Sequence, residues 1–125
     1  NVPSFTFLLA SQNGTQAVIS DEDIEKAVDY LRDNAREAAQ AKANRVYMEE
    51  YRKVVKSQVM REFDDKPLGA QEAIAYADPR YKQHLEAMKS AIEKDEYHHW
   101  MRTAAEAKLD AWRTQQSTNR ALGKL

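Results

Sequence analysis

No cysteine occurs in the chain, which excludes a disulfide scaffold, a thiolate zinc site and a cysteine nucleophile together. Glycine and proline are scarce, at three each in 125 residues. With Gly14, Gly69 and Gly123 as the only glycines, no glycine-rich phosphate loop can be assembled. The serines are Ser4, Ser11, Ser20, Ser57, Ser90 and Ser117, and none stands in a G-x-S-x-G or S-x-x-K setting. Hydrolase, kinase and dinucleotide-binding readings therefore fall away, and the sequence calls for no cofactor. No apolar run approaches the ~20 residues of a membrane span, and no signal-peptide pattern opens the chain. An excess of one charge is missing too. Nineteen Lys and Arg stand against 20 Asp and Glu, which argues against a strongly basic nucleic-acid module and against a disordered acidic tail. The absent initiator methionine points to a trimmed terminus or a fragment.

What is abundant is charge and helix-forming residues. Charged side chains make up 31% of the chain, above the usual ~25%, and with so few breakers this predicts helices with a large solvated surface. The fold expected is all-α: a long antiparallel helical hairpin of coiled-coil type, with a short helix at its tip and an N-terminal extended arm or β-hairpin. The arm is residues 1–19, and the hairpin domain is residues 20–125. Strand-like character is confined to the arm, where Phe5-Thr6-Phe7-Leu8-Leu9 and Ala17-Val18-Ile19 flank Asn13-Gly14, a pair suited to a type I′ turn. An extended arm lying on an apolar surface is the other form those residues fit.

Ser20 followed by Asp21, Glu22 and Asp23 opens the first helix, a hydroxyl cap ahead of carboxylates at the positive end of the dipole. Apolar residues then recur by three and four to Phe63, and no Gly or Pro intervenes before Pro67. A straight helix over 21–63 would run about 60 Å and need a partner of similar length. Asp78-Pro79 starts that partner, since proline at the first helical position gives up no needed hydrogen bond. It is expected to run to about residue 120, with residues 70–77 as two helical turns between. Val28, Leu31, Val46, Leu85, Met88, Ile92 and Leu109 are the expected core, and the alanine-rich stretch 35–43 is suited to receive the ring of Trp100 or Trp112. Residues 21–37 carry seven acids against three bases. A fold at about residue 71 sets them opposite Lys108, Arg113 and Arg120, which favours the antiparallel return. One seam leaves apolar residues such as Tyr47, Val55 and Trp112 over, so a dimer or higher homo-oligomer is expected.

Two groups of residues carry candidate chemistry. Lys42, Arg45, Arg52, Lys53, Lys56 and Arg61 face only Glu49 and Glu50 over residues 42–61. Arg45, Arg52 and Lys56 follow at intervals of seven and four, a row that could meet phosphates, with Tyr51 near enough to stack on a base. An ordinary solvated helix face is the alternative. Glu96 and His99 form an E-x-x-H, and Asp95 with His98 repeats the spacing. Helical di-iron sites use such pairs on two helices, whereas here one helix has them. A polar break in the seam, with a histidine packed on Trp100, accounts for the same residues, so a metal-binding bundle stands as the distant alternative.

The wording of the helices also resembles a known family. The runs Ala27-Val28-Asp29-Tyr30-Leu31-Arg32-Asp33-Asn34-Ala35 and Ala41-Lys42-Ala43-Asn44-Arg45-Val46-Tyr47-Met48-Glu49-Glu50-Tyr51-Arg52-Lys53 resemble small helical proteins of tailed bacteriophages and prophages. So do Ala70-Gln71-Glu72-Ala73-Ile74-Ala75-Tyr76-Ala77-Asp78-Pro79-Arg80-Tyr81, Trp100-Met101-Arg102-Thr103-Ala104-Ala105-Glu106-Ala107 and Trp112-Arg113-Thr114-Gln115-Gln116. The likeness covers about residues 24–120 and leaves the arm outside. Members of that family have no assigned activity and sit among phage replication and recombination genes, so no functional residue carries over. The resemblance implies a non-enzymatic accessory or protein-interaction factor in phage DNA metabolism, in the cytoplasm of a bacterial host and partnered by another phage or host protein. Direct nucleic-acid binding through the 42–61 face is the alternative.

Overall fold

The computed structural model describes residues 18–123, which form four α-helices: α1 (Asp21–Asp33), α2 (Ala35–Arg61), α3 (Leu68–Ala77) and α4 (Pro79–Gly123). The described residues contain no strand. The expected arm or β-hairpin lies outside them except for residues 18 and 19, which are not helical. The chain divides into two compact units. One takes in the described residues up to Leu31 and from Ala104 onward; the other is Arg32–Thr103.

In the first unit, α1 begins with a reciprocal cap. The Asp23 amide donates to Ser20 Oγ at 3.1 Å, and the Ser20 amide donates to Asp23 Oδ2 at 3.0 Å. Two otherwise orphaned amides are satisfied by one S-x-x-D sequence. One residue earlier the chain is clamped to α4. Ile19 donates its amide to Gln115 Oε1 (3.2 Å) and accepts from Gln115 Nε2 (2.8 Å). Ala27 and Ala105 are the buried apolar residues here, with Leu31, Leu109 and Trp112 half-buried.

The second unit corrects the expected single helix over 21–63. Asn34, at φ −102° and ψ 3°, separates α1 from α2. That is the sparsely allowed bridge region, and asparagine tolerates it because its short polar side chain competes with helical hydrogen bonding. α2 ends at Arg61, a turn carries the chain to Pro67, and α3 follows. α4 starts as its sequence predicts. Asp78 Oδ1 accepts the Arg80 amide at 2.8 Å, directly after the helix-compatible proline. Contacts of α2 and the residue after it with α4 run in reverse order: Glu62 with Arg80, Met48 with His84, and Arg45 with Asp95.

The core is not the one expected. Val28 and Val46 are each 45% exposed and Leu85 is 38% exposed, while Leu31, Met88, Ile92 and Leu109 are only half-buried. Buried in the second unit are Ala38, Ala41, Val59, Ala75, Tyr81 and Ala91, together with Asp95 and His98. Their helical positions explain the shift. Residues 38, 41, 45, 48, 55 and 59 on α2, and 81, 84, 88, 91, 95 and 98 on α4, fall on the three-and-four rhythm of a coiled-coil seam. The true seam sits one residue earlier than the large aliphatics Val46 and Ile92. Ala38, Ala41 and Ala91 are buried in it together with Val59 and Tyr81, while Val46 is left exposed and Ile92 half-buried. Trp100 does not fill the alanine stretch: it is 62% exposed.

Candidate functional site: polar layers in the seam and the faces they leave open

The seam is interrupted by polar side chains that partner each other. Arg45 reaches from α2 to α4, where its Nε donates to Asp95 Oδ2 at 2.6 Å, and its Nη1 lies 3.4 Å from Glu49. Asp95 is 5% exposed, so its charge is tolerable only because a guanidinium meets it. The hydrogen bond that Arg45 donates to Asp95, followed by the field of Glu49, raises the Arg45 pKa above its ordinary value. Next along, the Nε2–H of His84 donates to the Met48 carbonyl oxygen at 2.6 Å, and its ring tilts against Tyr51 at 5.7 Å. Tyr51 in turn stacks on Tyr47 at 5.6 Å.

Where α2 meets α3, Lys56 donates from Nζ to Tyr76 Oη at 2.9 Å and lies 4.0 Å from Glu72. Its ammonium is also 4.7 Å from the centre of the Tyr76 ring. The Tyr76 hydrogen bond, aided by Glu72, raises the Lys56 pKa. Tyr76 stands edge-on to Tyr81 at 5.3 Å. At the α4 start, Arg80 forks onto Glu62 with bonds of 2.6 and 3.0 Å and onto Asp78 at 3.0 Å. Those bonds raise the Arg80 pKa and hold the Glu62 and Asp78 carboxyls below their ordinary values.

The six basic residues of the 42–61 stretch are thereby divided. Arg45 and Lys56 turn toward α4 and α3 and serve the interior, while Lys42, Arg52, Lys53 and Arg61 remain exposed. Lys53 pairs with Glu50 at 3.3 Å. Arg45, Arg52 and Lys56 thus do not present one solvent-facing row. A shallow groove of about 410 Å³ does form on α2, lined by Lys53, Val54, Ser57, Gln58 and Arg61.

The two carboxylate–imidazole pairs also part company. Asp95 and His98 are buried, whereas Glu96 and His99 are exposed, with the His99 ring edge-on to Trp100 at 5.1 Å. Among the described residues no three histidines or carboxylates gather as metal ligands would. The Arg45–Asp95 pair therefore joins α2 to α4.

Sequence reasoning placed Arg45 in a phosphate-facing row when it spans the seam to Asp95, and it missed the Gln115 clamp and His84. The signal for Arg45 and His84 was the coiled-coil rhythm, which places 45, 84, 95 and 98 at core positions even though they are polar. On α4, Tyr97 and Trp100 are 59% and 62% exposed, and on α2 Tyr47 is 62% exposed. Comparison with protein-family models, with characterised proteins and with solved structures finds no match to this chain. No helix among the described residues is long and apolar enough to cross a membrane.

Proposed function

We propose that the chain is a non-enzymatic, self-associating helical hairpin that acts as an accessory or protein-interaction factor in phage DNA metabolism, within the bacterial cytoplasm. The observation that carries this reading is the set of large aromatic side chains left in solvent on charged helices. Tyr47, Tyr97 and Trp100 are each more than half exposed, and such residues are enriched at the anchoring points of protein interfaces. The reverse order of contacts in the second unit supports the hairpin, and the likeness of residues 24–120 to small phage proteins supports the setting. The N-terminal arm, with Phe5, Phe7 and Leu8, belongs to the same reading as a segment with apolar residues to cover.

Light scattering of the purified chain tests the self-association. A mass at least twice 14.4 kDa across micromolar concentrations is expected, and a single-chain mass with full helicity overturns the reading. Pull-down from phage-infected cells then identifies the partner.

Direct nucleic-acid binding is the second reading. It is favoured by the groove between Lys53 and Arg61 and by the exposure of Lys42 and Arg52. Phosphate contacts of that kind weaken steeply with salt.

A further inference from the structure

We propose that the solvent-facing side of α4 around Tyr97 is a two-fold docking surface for a second copy of this chain, in which Trp100 of each copy enters a groove on the other. The inference rests on the self-association reading and names its surface. Residues 90, 93, 94, 97 and 100 lie on one face of α4, about 120° wide at the 100° turn of each helical residue. All five are exposed. Ser90, Glu93, Lys94 and Tyr97 line a shallow groove of about 350 Å³, ample for one indole. One turn further along, Trp100 projects with 62% of its surface in water. An exposed ring and a shallow groove therefore sit side by side on a single helix face.

Only one arrangement lets every copy use both. In an isologous pairing, residue i meets j while j meets i. An antiparallel crossing of two α4 helices centred on Tyr97 sets position 94 of one copy opposite position 100 of the other. Each Trp100 ring then meets the second copy's Lys94 ammonium, a cation–π contact that strengthens as water leaves. The indole N–H, which needs an acceptor once desolvated, meets the groove that Glu93 and Ser90 line. The two Tyr97 rings flank the axis. Charge complementarity thus favours a second copy: the groove supplies a cation for the ring face and acceptors for the ring nitrogen, and the same copy supplies the ring.

Sedimentation or light scattering of the full chain, with circular dichroism to verify helicity, gives the test. Wild type should dimerise. Trp100→Ala, which removes an exposed side chain and touches no core, should weaken the dimer at least about 30-fold for each of its two contacts. Lys94→Glu should weaken it as well. In Trp112→Phe, Trp100 is the sole indole, and its emission should shift to shorter wavelength as protein concentration rises. A wild-type chain that stays monomeric overturns both the self-association reading and this surface. A dimer that survives Trp100→Ala and Lys94→Glu unchanged, yet falls apart in Tyr47→Glu, overturns this surface alone and moves the contact to the outward side of α2.

Discussion

Asp95 and Arg45 show how a single polar pair can be necessary without being a site. Removing the buried carboxylate in Asp95→Ala leaves a guanidinium facing an emptied seam, and a cost of about 1–3 kcal/mol is expected. The figure stays below that for a fully enclosed ion pair because the Arg45 side chain keeps 28% of its surface exposed. Chemical denaturation should read the loss, and Glu96→Ala, on the exposed side of the same turn, should be near neutral. Ser20→Ala should cost about 1 kcal/mol through the lost cap. Three carboxyls contribute to the acid limb of stability. Asp23 is held low by hydrogen bonds from Ser20, and Glu62 and Asp78 by those from Arg80. Each has a folded pKa below its ordinary value of 3.8 or 4.5. Their stabilisation is therefore present above those ordinary values and is lost as pH falls through the depressed ones. Tm should hold level near neutrality and drop below about pH 4, and Arg80→Gln should make that drop shallower.

Between elements, small residues take up buried seam positions beside Val59 and Tyr81. Ala41 and Ala91 are 4% and 6% exposed, so Leu at either position has no room, and about 1–3 kcal/mol of destabilisation is expected from overpacking. Hydrophobicity alone predicts the opposite sign. The contrast is Val46→Ala, which shortens a side chain already 45% exposed and should cost less than about 1 kcal/mol. Val59 is fully buried, and Val59→Ala should cost roughly 2 kcal/mol from lost contacts and residual cavity. Thermal melts of the four variants compared with wild type would establish the order. Helix type and most boundaries were legible in the sequence: Ser20 and Asp78-Pro79 mark starts that the structure keeps. The break at Asn34 was not legible, because one asparagine in a strongly periodic run signals too little against its neighbours. The one-residue offset of the seam was hidden for a different reason. Large aliphatics dominate any hydropathy count, whereas close helix approach selects alanine.

For the chain as a whole, the balance of charge decides what the exposed basic residues can do. Net charge is −1, so attraction to a polyanion would have to come from one face. With Arg45 and Lys56 committed to internal partners, the cations left over residues 42–61 of α2 are Lys42, Arg52, Lys53 and Arg61. If that face meets nucleic acid, retardation on single-stranded DNA should appear at low salt and fall linearly on a logarithmic salt scale. Lys53→Glu with Arg61→Glu should abolish it. Arg45→Glu should instead unsettle the fold, since it sets like charge against Asp95 and Glu49. Unaltered mobility of the wild-type chain at low salt would leave protein–protein contact as the reading.

The amino-acid sequence by itself determined the all-helical class, the positions where α1 and α4 begin, and the absence of thiol chemistry and glycine-rich phosphate loops. These follow from composition, capping residues and spacing, which are local properties. Which residues count as core was decided only by tertiary structure. Burial depends on what stands opposite: Arg45 is interior because Asp95 faces it, and Trp100 is exterior because no part of its own unit covers it. Partners fix burial, and a one-dimensional pattern does not name partners.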